Sequence, residues 1–228
     1  MYLYKKEMYE KLKYKFPGFE TIEQNYSQCF QDLFVLAVLE GKREGRFLEI
    51  GGFHPSFISN TYLLEKDFGW TGISIDIDPN LAWQFKQVRP NTEFIGGDAL
   101  SLDYENILKD IDRMNYLSLD IEPASQTLAC LKKLPLDNVR FSVITYETDF
   151  YDPGAPPGQS ERIRQESRDI LESYGYKMIV GNISNLTDDA PFEDWYVDDF
   201  FIPQEIISRF EYSDIPLASH RYMLYDSE

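Results

Sequence analysis

Acidic side chains recur in this 228-residue chain where apolar segments end. Glu49 belongs to the first such segment, Asp76 follows the second and Asp98 the third. Asp120 and Glu122 follow the fourth, and Glu147 and Asp149 the fifth. Carboxylates gathered at one edge can bind the hydroxyls of a ribose, hold a hard divalent cation through oxygen alone, or take a proton from a reacting hydroxyl. Crowded carboxylates also repel one another, so they need a cation or hydrogen-bond donors nearby. The plainer reading of each is an acid hydrogen-bonded to the amides of its own turn. His54 and His220 are the only imidazoles, and the two cysteines form no motif, which leaves too little for a zinc site. His54 is a candidate base because an imidazole titrates near neutrality, against a structural part in shaping its turn. His220 lies in the tail and is given no role.

The elements that must position these groups centre on 47–79, read as strand, glycine turn, helix, strand. Phe47-Leu48-Glu49-Ile50 is an apolar run stopped by Gly51-Gly52, and glycines let backbone and ligand approach closely. Ser59-Asn60-Thr61 open a helix that Gly69 closes. Gly72–Ile75 is a second strand ending on acid at Asp76 and Asp78. A βαβ unit with an acid after its second strand is how an open α/β sheet holds a nucleoside. The glycine turn then faces the ligand and Asp76 takes the ribose hydroxyls. Asn60, Ile77, Asp98 and Ala99 are further candidate contacts, with Asp98 near the base. The dinucleotide pattern G-x-G-x-x-G is absent, because Phe53-His54-Pro55 follow Gly52. A nucleoside without phosphates therefore fits better, and S-adenosylmethionine is the candidate.

Strands alternate with helices through about residue 180, which predicts a mostly parallel sheet with helices on both faces. The spacing predicts strands at 92–95, 115–119, 139–146 and 177–180, and a seventh at Trp195–Ile202 reached without a helix and so antiparallel. Residues 181–194 read as an acidic loop. Tyr151–Gly158 carries three prolines and two glycines in eight residues, a lid-like loop. Asp198-Asp199 sit in an aromatic strand, so one of them needs a partner. The expected organisation is one domain over 1–228: a helical extension at 1–25, a core at 26–203 and a tail at 204–228. Asp120 and Glu147 would end adjacent central strands and converge on one ion, Mg²⁺ or Mn²⁺, with Asp149 nearby.

Composition narrows the partners. The chain is 43% hydrophobic and 15% aromatic, and 39 acids against 22 bases give a net charge of −17. Such a surface repels phosphate polyanions, so no nucleic-acid substrate is expected. A neutral or cationic acceptor suits it better. Cys29 and Cys130 fall in predicted helices and read as buried free thiols, compatible with a reducing compartment. No apolar run reaches the ~18–20 residues that cross a bilayer. The basic start, MYLYKKEMYEKLKYK, lacks a signal peptide's apolar core, and a cytoplasmic location is expected. A solvated helix is the favoured reading of that start, over a contact with an anionic surface.

Three stretches together resemble the FkbM-type family of S-adenosylmethionine-dependent methyltransferases. They are Tyr26-Ser27-Gln28 with Gln31-Asp32-Leu33, then FLEIGGF with SNTYLLEKDFGWTGISID, and YLSLDIEPASQTLACL with FSVITYE. The resemblance implies a Rossmann-like class I methyltransferase fold of seven strands with the last antiparallel. It also implies methyl transfer to a hydroxyl of a sugar, glycan or sugar-bearing metabolite. By position it implies that Glu49, Gly51 and Gly52 hold the methionine moiety, Asp76 the ribose and Asp98 the adenine side. Asp120 and Glu147 match positions where related enzymes keep a cation. Departures are Phe53-His54-Pro55-Ser56 within the turn, Glu122-Pro123 in place of E-G, and Thr148 where a histidine often stands. The base is left among Asp149, Glu122 and His54, with Asp120 holding the acceptor. Two rivals remain: an NAD-dependent sugar oxidoreductase, opposed by the missing glycines, and a non-catalytic module of the same fold.

Overall fold

The computed structural model describes residues 10–150, 154–185 and 187–225. Its strands are β1 (Arg46–Ile50), β2 (Thr71–Asp76), β3 (Thr92–Gly96), β4 (Arg113–Leu119), β5 (Arg140–Glu147), β6 (Tyr176–Ser184), β7 (Pro191–Asp198) and β8 (Leu217–Ala218). The helices are α1 (Gln31–Val38), α2 (Tyr62–Phe68), α3 (Leu81–Val88), α4 (Tyr104–Ile107), α5 (Ala124–Leu131), α6 (Gln159–Ser173), α7 (Gln204–Ile207) and α8 (Ser219–Met223). All eight strands form one sheet in the order β3-β2-β1-β4-β5-β7-β6-β8. The strands β1 to β5 run parallel, and β7 is antiparallel to both β5 and β6. The order reverses between β1 and β4, which opens a crevice beyond their carboxyl ends.

Local chemistry explains the central unit. β1 is buried over its last four residues, as expected of a strand covered on both faces. At the C-terminus of α2, Gly69 takes the left-handed conformation (φ 71°) that a helix stop favours. One apolar layer, including Phe34, Trp70 and Trp195, packs on one face; a second, including Leu117, Ile144 and Tyr196, packs on the other. Trp195 and Tyr196 are neighbours in β7 and fall on opposite faces, as the two-residue period of a strand requires. Phe34 of α1 lies against Trp195 at 4.5 Å between ring centroids.

The C-terminal third departs from the sequence reading. The segment read as an acidic loop belongs mostly to β6 and β7, because Glu193 and Asp194 have buried partners. Arg168 of α6 donates to both carboxylate oxygens of Asp194, at 2.8 and 3.0 Å, and Asp194 also accepts from the Asn182 amide. The partner expected for the Asp198-Asp199 pair is Arg140, which donates to the fully buried Asp198 at 2.8 Å. The tail does not run out after Pro203. It forms α7, adds β8 as an eighth, two-residue strand beside β6, and is tied back by Tyr225, whose amide donates to the Lys11 carbonyl at 2.7 Å. Of the helical extension expected at 1–25, residues 1–9 lie outside the described residues, and the described part holds a 3-10 turn at Phe19–Thr21. Cys29 is buried as expected but precedes α1. No helix among the described residues is long and apolar enough to cross a membrane. Of the expected lid, residues 154–158 turn into α6, and 151–153 lie outside the described residues.

Candidate functional site

A cleft of about 500 Å³ lies at the carboxyl ends of β1 to β5. Five acids line it: Asp76, Asp98, Asp120, Glu122 and Glu147. Phe53, Ile58 and Ile77 give apolar wall, and Gln28 and Gln126 add carboxamides. Among the described residues no Lys, Arg or His lines it.

The turn after β1 is fixed by close backbone packing. Gly51 has φ 93°, and a Cβ there would lie 1.6 Å from the Asp120 carbonyl oxygen. A Cβ on Gly52 would meet Ser74 Oγ at 2.2 Å. Both amides donate to the Ile75 carbonyl, at 2.9 and 3.0 Å, which docks the turn on β2. Asp76, at the end of β2, accepts the Phe53 amide on Oδ2 (2.8 Å) and the Asp78 amide on Oδ1 (2.9 Å). Each oxygen keeps a lone pair, so the carboxylate is oriented and still able to accept. Ile77 beside it is 74% exposed, an apolar face turned to solvent. Asp98 caps the short 3-10 turn Ala99–Ser101, accepting from the Leu100 amide and the Ser101 hydroxyl, and these bonds hold its pKa below the ordinary carboxylate value.

Asp120 and Glu147 meet across β4 and β5. Burial pushes both pKa values up, and for Glu147 the Asp120 charge and the hydrogen bond between the two carboxyls push further. Two buried carboxyls in contact resist ionising together, so Asp120 and Glu147 titrate as one coupled pair. Glu147 Oε2 has no hydrogen-bond partner among the described residues. Directly opposite Glu147 in β7 stands Glu193, which accepts from Gln31 (2.9 Å) and Trp195 (2.7 Å) on one oxygen. Burial pushes the Glu193 carboxyl up to about 8.

This arrangement does not fit the cation expected at Asp120, Glu147 and Asp149. Among the described residues no three Asp, Glu, His or Cys gather as ligands. Asp120 and Glu147 by themselves offer two carboxyl groups, fewer than the oxygen set a hard cation takes. Asp149 is buried beside Glu147 in a left-handed conformation (φ 44°), its amide donating to the Phe192 carbonyl, and it does not line the cleft.

Other expected residues are placed differently from the sequence reading. Glu49 does not line the cleft: its carboxylate is 3% exposed and accepts from Thr61 and Ser74 at 2.8 Å each and from Arg89 at 3.3 Å. It is a tie between β1, β2 and α2. Arg89, fully buried, also donates to Glu65 at 2.9 Å and lies over the rings of Phe47 and Phe85. His54 does not line the cleft, and its Nδ1 accepts the Ser56 and Phe57 amides at 3.2 and 3.0 Å. The acceptor nitrogen is committed to shaping the turn, so His54 is not placed to act as a base. Asn60 is buried, donates to Ser118 at 3.0 Å, and leaves its Oδ1 without a hydrogen-bond partner among the described residues. Gly51, Asp76, Ile77, Asp98, Ala99, Asp120, Glu122 and Glu147 do come together on the cleft. Sequence reasoning gave no role to Phe53, Gln126 or Glu193. Gln28 was visible only as part of the entry segment, which Asp32 folds by accepting from the Tyr26 and Ser27 amides.

No family model matches the chain, and no curated protein matches it by sequence. Solved structures do. A protein of Clostridium thermocellum named for rRNA methylation superposes with a TM-score of 0.52 at 11% identity, over 75% of this chain and 95% of that one. A methyltransferase of Aquifex aeolicus dependent on S-adenosylmethionine gives 0.46 at 16% identity, over 75% of this chain and 91% of that one. A TehB-like methyltransferase of Corynebacterium glutamicum gives 0.42 at 14% identity, over 74% and 87%. The Clostridium thermocellum protein shares this chain's fold, a mostly parallel Rossmann-like sheet. At these identities the likeness is one of fold, and the FkbM-type resemblance rests on the motifs that carry it.

Proposed function

We propose that the chain is an S-adenosylmethionine-dependent O-methyltransferase acting on a carbohydrate hydroxyl. One observation carries this: a cleft at the sheet's reversal point is lined by five carboxyl groups and, among the described residues, by no basic side chain. Such a wall repels the pyrophosphate of a dinucleotide and attracts a cation. A sulfonium nucleoside meets both conditions. When bound, that donor supplies an electrophilic methyl group.

On this reading Asp76, already oriented by two amides, accepts from the ribose hydroxyls through its remaining lone pairs. Ile77 lies under the base, and Asp98 and Ala99 flank its edge. Gly51 brings backbone close to the methionine part, while Glu49 stabilises the turn from behind through Thr61, Ser74 and Arg89. Gln28, Glu122 and Gln126 line the acceptor end, offering both donors and acceptors to a polyol. Asp120, on the cleft and paired with Glu147, is the base: one of its carboxylate oxygens takes the proton of the acceptor hydroxyl as its O–C bond forms and the C–S bond of the donor breaks. Glu122, exposed at the rim, is the second candidate for that proton.

The test is calorimetry followed by turnover. Binding of S-adenosylhomocysteine without binding of NAD is the expected result; the reverse would end the proposal in favour of an oxidoreductase. Methyl transfer is then assayed on free sugars, nucleotide sugars and glycans, with and without EDTA. The EDTA arm is expected to leave turnover unchanged, because among the described residues no third ligand gathers beside Asp120 and Glu147. Tight donor binding with no transfer to any carbohydrate would move the acceptor class elsewhere.

A further inference from the structure

Phe53 is an aromatic residue held in an unusual place. It lines the cleft, yet it is 60% exposed and unsheltered by the core. Its backbone is left-handed (φ 43°), a region that costs a bulky residue about 1–2 kcal/mol and persists only when its surroundings enforce it. The enforcement is visible. Its amide donates to Asp76 Oδ2 at 2.8 Å, so Phe53 sits beside the carboxylate that takes the ribose. Two residues away, Gly51 is locked against Asp120. On the far side, His54 Nδ1 accepts the Ser56 and Phe57 amides and closes the turn that carries the ring.

We infer that the Phe53 ring is the sulfonium-facing wall of the donor site and makes the protein discriminate the charged donor from its neutral thioether product. The inference rests on the donor reading above and deepens it. A ribose held at Asp76, with the methionine part running toward Gly51 and Asp120, puts the sulfur between those points, along the wall that Phe53 occupies. An aromatic face attracts a cation through its quadrupole, and the attraction is lost once the charge is gone. The five carboxyls attract the whole donor from a distance; the ring acts only at the atom whose charge changes in the reaction. Product is thus held less tightly than donor, which favours its release after transfer.

The experiment measures affinities for S-adenosylmethionine and S-adenosylhomocysteine by calorimetry in wild type, Phe53→Leu and Phe53→Tyr. Leucine keeps an apolar wall without a quadrupole, and tyrosine keeps the quadrupole. Phe53→Leu is expected to weaken S-adenosylmethionine binding about two- to five-fold while leaving S-adenosylhomocysteine within experimental error. Phe53→Tyr is expected to restore the wild-type ratio. Equal weakening of both ligands, or no change in either, would overturn the inference and leave the donor site standing. Failure of wild type to bind either ligand would remove the donor reading and the inference together. Thermal melting of the three proteins identifies any variant whose turn has simply collapsed.

Discussion

Replacing Asp76 with alanine separates the donor reading from a purely structural one. In the structure its carboxylate accepts two backbone amides, from Phe53 at 2.8 Å and Asp78 at 2.9 Å, and retains lone pairs toward the cleft. A hydrogen bond to a charged group contributes ~1.5–3 kcal/mol. Asp76 is only half-buried, so the low end applies, and two ribose hydroxyls together contribute ~3 kcal/mol, or roughly 100-fold in affinity. The variant also frees two amides, which water can partly satisfy, at a cost of about 1–2 kcal/mol or a melting temperature lower by about 2–8 °C. Calorimetry with S-adenosylhomocysteine gives the first quantity and circular dichroism the second. Asp76→Asn, which keeps one acceptor oxygen, should fall between wild type and alanine on both scales. Affinity within threefold of wild type in a folded Asp76→Ala protein would refute the ribose role and reduce the residue to a turn brace.

Gly51→Ala places a Cβ 1.6 Å from the Asp120 carbonyl in a left-handed position, and we expect a loss above ~3 kcal/mol in urea denaturation, whereas a loss under ~1 kcal/mol would contradict the packing described. Arg89→Met leaves Glu49 and Glu65 buried without their cation and should cost ~3–5 kcal/mol. Adding Glu49→Gln should recover part of that loss, and strict additivity of the two changes would deny the coupling. Glu193 has a folded pKa of about 8 against 4.5 for an ordinary glutamate, so between those values the folded state binds more protons than the unfolded one. Its burial therefore lowers stability as pH rises from about 4.5 to about 8, and the cost is absent below that window. Glu193→Gln, whose amide oxygen can still accept from Gln31 and Trp195, should flatten this slope in denaturation curves at pH 5 to 8.5; an unchanged slope would assign the effect to other groups.

Several features were legible in sequence because they depend on neighbours along the chain. The Ser59-Asn60-Thr61 start and Gly69 stop of α2 depend on local torsions, and the strand-end position of Asp76 follows from where an apolar run stops. The convergence of Asp120 and Glu147 followed from the parallel order of β4 and β5. Roles set by distant partners were not legible. Glu49 looks like a cleft acid until Arg89, far along the chain, arrives beneath it. His54 looks like a base until its own loop turns two amides onto Nδ1. Glu193 and Asp194 looked like loop because their partners, Gln31 and Arg168, come from α1 and α6.

The sequence by itself determined the alternation of strands and helices, the glycine turn, and the placing of acids at strand ends, since each is written in short-range periodicity and turn chemistry. Only the tertiary structure decided which of those acids face the cleft, which are consumed by buried arginine, and that Asp120 and Glu147 meet as a buried pair. The reason is physical: a carboxylate's role depends on its solvation and on the charges around it, and in a sheet whose order is not the chain's order those neighbours come from other parts of the sequence.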